Sequence, residues 1–451
     1  MTITGTLTGA DNKKHIPHTF EVPTGTTQLH IQFDYLPVFP EGARNSNQIS
    51  LTLFDPNSFR GARHNNADQN ISLSAQYASP GYLAGPLPAG TWSVYIDTHR
   101  IIDAEPVQYT LDITLSDEPI SAKAPTPQPM LSSNKPGPRW YRGDLHGHTL
   151  HSDGNWGVPD FVAFAKRMGL DFVTLTDHNT VSGLAAFRGM ADADLLTMGG
   201  MELTTYYGHA LALGTPQWHE WRTDTPDAFT MPQLARRVLD SGAFYVIAHP
   251  RSPGDPDCTG CRWEFEDMLP GNTPAVEIWN GPWSDYNEAG LQLYYDWLNA
   301  GHKLVATSGT DIHGAPPPGL DVSTIRVGMN VVYADTLTED AILLAIRQGH
   351  SYISAGPLLH LNAIDTHNDT FMMGDTLTGT LASVRLRWAA APDDTTVRLL
   401  ADGNVIHEQA ADASGAHEWQ PEAHIHHWYV AELRDAEGSL WAVTNPIFVD
   451  A

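Results

Sequence analysis

The sequence predicts an α/β protein built on a parallel (β/α) barrel or a close relative of one. An N-terminal β-sandwich precedes it and a small C-terminal β domain follows it. Three observations lead there. Apolar runs alternate with helical patterns across residues 139–360, as parallel strands joined by helices require. Residues 1–117 and 361–451 instead carry short alternating runs broken by Gly, Pro, Asn and Asp. Residues 118–138 are dense in proline, which favours the extended, semi-rigid backbone of a linker.

In chain order, alternating runs at 28–33, 48–54, 92–97 and 108–115 are separated by turn clusters such as Asp55-Pro56-Asn57 and Pro88-Ala89-Gly90. That spacing fits a sandwich. No acid, base or nucleophile converges in this region, so an accessory or interaction role is expected. Beyond the linker, helices are expected at 159–168, 232–240, 284–299 and 338–348. The first places Phe161, Val162, Ala165 and Met168 on one face, with Pro159 in its first turn. The last has Thr338 as N-cap and Gly349 just past its end. Strands are expected at 142–148, 172–177, 196–203, 209–213, 244–249, 275–279 and 303–311. The C-terminal region offers runs at 384–388, 396–400, 428–433 and 439–443, with Asp402-Gly403 as a hairpin turn. His424, His426 and His427 invite a metal reading, and solvated surface is the expectation for them.

Composition narrows the function. At 451 residues the chain has room for about two to four domains. No apolar run approaches the ~18 residues of a membrane span, and residues 1–18 lack the apolar centre of a secretory signal. A cytoplasmic protein without membrane contact is therefore expected. The net charge of −27, from 52 acidic against 25 basic residues, disfavours a general nucleic-acid binder. A small anionic substrate stays open, because a bound metal inverts the local field. Cys258 and Cys261 form half of a structural zinc pattern whose other half is missing. A redox pair or loop disulfide is possible chemistry for them, and a loop feature of no chemical consequence is the expectation.

Chemistry collects at the strand ends. His146 and His148 share one face of an extended strand, and Asp153 follows in the loop. The second strand ends in Asp177-His178-Asn179, the third near Glu202, and the fourth opens on His209. His249 ends the fifth and Asn280 follows the sixth. Asp311 and His313, after the seventh, repeat the i, i+2 parity of the opening pair. In a parallel barrel those ends form one rim, where sites are built. Imidazole and carboxylate without thiolate suit Zn, Mn or Fe. Asp177, of opposite parity to His178, reads as a group that orients a ligand.

Asp-Leu-His-Gly-His-Thr at 144–149, Thr-Asp-His-Asn at 176–179, Gly-Met-Glu-Leu at 200–203, Ala-His-Pro at 248–250 and Gly-Thr-Asp-Ile-His at 309–313 occur in order. Together they resemble the motifs of the PHP (polymerase and histidinol phosphatase) superfamily. Tyr-Gly-His-Ala-Leu-Ala-Leu-Gly at 207–214 and Thr-Asn-Pro-Ile at 444–447 look most like its CehA/McbA branch of carbaryl-hydrolase-type enzymes. The resemblance implies a distorted (β/α)7 barrel holding two or three divalent ions. It implies one ion on His146, His148, Glu202 and Asp311, and a second sharing Glu202 with His209 and His249. A third would take Asp153, His178 and His313. The Asp153 position is often histidine in that family, and His151 is the other candidate for it.

The expected function is a metal-dependent phosphoesterase using a metal-bridging hydroxide on a small phosphate mono- or diester. Three ligand carboxylates against three divalent ions leave a net charge of about +3, which favours a phosphate. Two ions leave about +1, and a carboxylesterase or carbamate hydrolase becomes the alternative. A non-catalytic ligand-binding protein is the alternative of a different class. His209 and His151 are the rim histidines considered for direct catalytic roles, and Arg251 is a candidate bidentate contact to phosphate. Trp279, Asn280 and Trp283 are candidates for a substrate wall, and the loop 252–263 for a lid.

Overall fold

The computed structural model describes residues 1–64, 69–118, 136–223, 229–265, 273–317, 326–420 and 426–450. Most of the expected linker, and His424, lie outside the described residues. Two four-stranded antiparallel sheets form the N-terminal region. One orders Thr2–Leu7, Val107–Ser116, Gln28–Leu36 and Ile71–Ser74, and the other His15–Val22, Gly90–Arg100, Gln48–Phe54 and Phe59–Arg63. Strict alternation in Gln28–Leu36 turns Leu29, Ile31, Phe33 and Tyr35 inward, where they share a core with Leu51, Trp92 and Val94 of the other sheet.

The middle of the chain supplies strands β1 (Pro136–Asp144), β2 (Phe172–Leu175), β3 (Leu196–Thr205), β4 (Gly208–Leu213), β5 (Phe244–Ile247), β6 (Ala275–Asn280), β7 (Val305–Gly309), β8 (Met329–Thr336) and β9 (Ser351–Ser354). They neighbour one another in the order β7-β6-β5-β4-β3-β2-β1-β8-β9. Helices α1 (Val158–Arg167), α2 (Leu184–Arg188), α3 (Met231–Asp240), α4 (Asp285–Asn299) and α5 (Glu339–Arg347) lie between them. The caps read from sequence are present: the Thr338 hydroxyl accepts from the Ala341 N–H, and Gly349 takes φ +73° past the end of α5.

The sheet departs from the all-parallel expectation. β4 runs antiparallel to both β3 and β5. Only Tyr206 and Tyr207 separate β3 from β4, so the chain has no length for a crossover and must turn back as a hairpin. That reversal still places His209, at the start of β4, beside the end of β3. Closure is also partial. Among the described residues β7 and β1 share no ladder, and their extensions meet only at the Gly147–Ile312 bridge, with Asp311 N–H to His146 O and His148 N–H to Ile312 O at 3.0 Å each. Mixed α/β is thus the observed class, and a closed barrel is not.

β8 and β9 were not foreseen. They carry the sheet onward through Leu440–Thr444, Trp428–Arg434, Thr396–Ala401 and Asn404–Ala410. Asp402 and Gly403, at φ +49° and +80°, make the expected two-residue turn. A further sheet of Thr370–Met372, Leu358–Asp365, Leu381–Ala389 and Ser414–Trp419 covers one face of this extension. Among the described residues no helix is long and apolar enough to cross a membrane.

Candidate metal centre

Glu202, fully buried near the end of β3, is the hub of the rim. Its Oε1 lies 3.1 Å from His209 Nδ1 and 3.2 Å from His249 Nε2. Its Oε2 lies 2.7 Å from His178 Nδ1, 3.3 Å from His146 Nε2 and 3.5 Å from His148 Nε2. Asp311 Oδ1 faces the opening pair, 2.9 Å from His148 Nε2 and 3.4 Å from His146 Nε2. Asp153 Oδ1 stands 3.3 Å from His313 Nε2 and 3.5 Å from His178 Nε2.

Four overlapping groups have ligand atoms close enough to hold a metal: His148, Asp153, His178 and His313; His146, His249 and Asp311; His146, His148 and Glu202; His178, Glu202 and His209. Every residue expected as a ligand is therefore in the cluster, and the groups overlap. His148 also reaches the Asp153 set and His249 also reaches Asp311, while His209 and His249 keep their common contact with Glu202 Oε1. The donors fit a divalent cation by type and by need. His146 Nε2, Asp153 Oδ1 and Glu202 Oε2 are buried without a hydrogen bond, an arrangement that is costly unless a cation satisfies it.

Local structure aims these side chains. His249 and Asp311 adopt φ +28° and +51°, sparsely populated values for residues with a Cβ. Glu277 of β6 sits under the cluster, 3.1 Å from His146 Nδ1, and its Oε2 accepts from the His249 N–H and from Asn280 Nδ2, each at 3.1 Å. Gly309 makes this approach possible, because a Cβ there would collide with His146 and Glu277. Asn280 Nδ2 also donates to Asp311 Oδ2 at 3.2 Å. Asp177 behaves as an anchor, accepting from Thr149 N–H, Thr149 Oγ1 and Ser152 Oγ at 2.7 Å each. It fastens the loop that carries Asp153 rather than a ligand imidazole. Sequence reasoning missed Glu277; its signal was a lone carboxylate inside the apolar run Ala-Val-Glu-Ile-Trp.

The protein's own charges shape titration here. Burial opposes ionisation of Glu202, Asp153 and Asp311, yet the surrounding imidazoles hold all three well below the usual carboxylate range. Burial likewise opposes the charged forms of His146 and His178, but neighbouring carboxylates raise both well above normal. His313 is raised to about 9, mainly through Asp153 against burial. His148 goes the other way, to about 4, through burial and the charges of His178 and His313.

Several expectations are corrected. His151 faces away from the cluster: its Nδ1 lies 2.8 Å from Ser182 Oγ, with the Gly81 N–H of the sandwich at 3.5 Å. Arg251 alone stays an expectation: it is exposed, and among the described residues its side chain makes no hydrogen bond or ion pair with the cluster, which neither supports nor opposes a contact to phosphate. Trp279 is fully buried core, its Nε1–H held by Gly281 O, and Asn280 orients Asp311, so neither is a substrate wall. Trp283 packs on Trp279 at 4.8 Å.

The Cys258–Cys261 loop, expected to be inert, is closed by a disulfide. Its Thr259 carbonyl accepts from His209 Nε2–H at 3.2 Å and its Cys261 carbonyl from His249 Nδ1–H at 3.1 Å, leaving the opposite nitrogens for the Glu202 side. Hydrogen bonds from Asn45 and Arg100 to Pro256 O, at 2.8 and 3.0 Å, pin the loop to the sandwich, so it is a fastened support rather than a lid. The sandwich is not remote either. His64, overlooked because no motif marks it, has its ring tilted against that of His178, and His99 packs edge-on against His64.

No family model matches the sequence. Over 124 residues, 25% of this chain and 69% of the relative, it is 26% identical to an uncharacterized protein of Methanocaldococcus jannaschii. A solved two-domain protein of Bacteroides vulgatus, described as containing a PHP-like metal-dependent phosphoesterase, is similar at 16% identity and TM-score 0.43, over 72% of this chain and 100% of that one. A Bifidobacterium adolescentis protein described as a metal-dependent phosphoesterase is similar at 18% identity and TM-score 0.31, over 45% and 94%. An amidohydrolase of Chromobacterium violaceum is similar at 17% identity and TM-score 0.30, over 40% and 89%.

Proposed function

We propose that the protein is a metal-dependent hydrolase of small esters, and that a phosphate mono- or diester is the substrate class its site suits best. One observation carries the reading: both oxygens of the buried Glu202 are shared among His146, His148, His178, His209 and His249. Glu202 with these histidines would hold divalent ions, and Asp153 with His313 would extend the ligand set. Zn, Mn or Fe matches the donors. When bound, such ions activate water near neutral pH and offset charge developing on the ester. The chain's own part is to fix the ligand nitrogens by hydrogen bonds from their far sides and to exclude bulk water from Glu202. The motif order, and the contact of the β1 and β7 extensions at the rim, support a distorted (β/α)7 barrel of the PHP kind, and the wording at 207–214 and 444–447 is what favours its CehA/McbA branch.

Glu277 favours a second reading. A fourth carboxylate beneath His146 lowers the field of the site, to about +2 with three ions and near neutrality with two. With two ions bound, a neutral carboxyl ester or carbamate becomes the better substrate. Metal analysis combined with chromogenic phosphate monoesters, diesters and carboxyl esters separates the readings. Phosphate-ester turnover with two or three bound equivalents is expected. Turnover of carboxyl esters alone, with two ions bound, would overturn the phosphoesterase assignment.

A further inference from the structure

The N-terminal sandwich contributes a side chain to the metal rim. Its strand Phe59–Arg63 leads straight into His64, whose ring centroid lies 4.8 Å from that of His178. His64 is only 8% exposed, and its Nδ1 is buried without a hydrogen-bond partner among the described residues. Its Nε2 lies 2.8 Å from the amide nitrogen of Gln48. An amide nitrogen donates, so Nε2 accepts, and the hydrogen of the neutral ring sits on Nδ1. His99 packs edge-on against the ring at 4.3 Å and is itself held by Ser50 Oγ at 2.7 Å. His64 is therefore clamped from behind, with one donor unspent.

The clamp is built on a firm seam. Gly81 N–H donates to Ser182 Oγ at 3.1 Å, and Thr180 Oγ1 donates to Gly81 O at 2.7 Å. Phe59 stacks on Trp218 at 4.2 Å, and Lys13 pairs with Asp255 at 2.6 Å. These contacts come from several loops of the rim, so the sandwich holds His64 in place. A ring in contact with a ligand histidine is within reach of atoms bound beside that ligand, and a buried donor gains from an acceptor there.

We propose that His64 contacts the substrate, its Nδ1–H donating a hydrogen bond to an oxyanion oxygen at the metal cluster, so that the sandwich forms one wall of the active site. This rests on the ester-hydrolase reading above. The test is calorimetric titration of inorganic phosphate, and separately of acetate, into the metal-loaded full chain and its His64→Phe and His64→Asn variants. Metal content and thermal unfolding are measured alongside. His64→Phe should keep its metal and weaken phosphate binding about 10-fold, and His64→Asn, whose amide restores a donor, should recover to within about 3-fold. If the phenyl ring is not accommodated, His64→Ala should show the same weakening. Unchanged binding in a fully metallated Phe or Ala variant would overturn the inference, as would loss of a metal equivalent or failure of the Asn variant to recover. If acetate binds and phosphate does not, with the same dependence on His64, the inference stands and the phosphoester reading falls. If the unmodified protein binds neither anion, both fall.

Discussion

His146, His148, His178 and Glu202 decide most at the scale of single residues, because each belongs to two ligand groups. His178→Ala removes a nitrogen from both the Asp153 set and the Glu202–His209 set. The expected result is loss of at least one metal equivalent by elemental analysis and a fall in ester turnover of about 100-fold or more. Full activity with unchanged metal would refute the grouping. Protons occupy these ligands when cations do not. His313, raised to about 9, and His178, raised well above normal, must lose protons to bind metal, so affinity should fall as pH drops below about 9. Titrations in buffers of different ionisation enthalpy would show the released protons. The same shifts set the apo protein's stability. A folded-state pKa above the unfolded ~6.5 stabilises fully below that value and less as pH rises through the folded one. Thermal unfolding of the metal-free protein should therefore move to lower temperature between pH 7 and 9, and the metal-loaded protein should resist the change. Residue identity at strand ends was legible because histidine and carboxylate are rare in apolar runs. Glu277 carried the same signal but lies inside a strand rather than at its end, and His64 belongs to a region whose sequence has no motif.

Among elements, the disulfide loop is where function and local structure meet. Its two carbonyls hold the far nitrogens of His209 and His249, and Gly260, at φ +77°, lies where a Cβ would strike Thr205 O and press on His209. Replacing Cys258 and Cys261 by Ser frees the loop without touching a ligand. Metal affinity should drop about 10- to 100-fold in a chelator competition, the range seen when partners of ligand histidines are lost. Unchanged affinity would show that the hydrogen bonds persist without the bridge. Elements were legible where burial left a periodic trace. Gln28–Leu36 alternates and α5 has its caps, so both emerge from sequence alone. β3 and β4 are buried at every position, so neither alternation nor a Gly-rich turn announced their hairpin. Their direction depends on turn length, and two tyrosines are a weak turn signal.

On the scale of the whole molecule, side-chain contacts join the sandwich to the metal-bearing sheet. Trp218 links them: it stacks on Phe59 at 4.2 Å, meets Phe54 edge-on at 5.8 Å, and donates Nε1–H to Asn179 O at 3.1 Å. Asn179 in turn receives the Thr204 N–H at 2.8 Å, two residues from Glu202. Arg222 adds a cation over the rings of Phe54 and Tyr95. Heat should therefore unfold the full chain in one calorimetric transition spanning both regions, and a chelator should lower that transition as a unit. Two transitions, the earlier one indifferent to metal, would show that the seam transmits nothing. Trp218→Ala supplies the sharper comparison, because it deletes aromatic contacts in the seam and leaves every ligand in place. It should cost about 1–3 kcal/mol of stability, by the usual worth of such aromatic contacts and their buried area. If the seam also holds Asn179 in its strained φ of +57°, the same variant should retain metal less well under chelator. A variant that loses stability but keeps wild-type metal retention would confine Trp218 to packing, and would separate the fold's cohesion from the geometry of its metal centre.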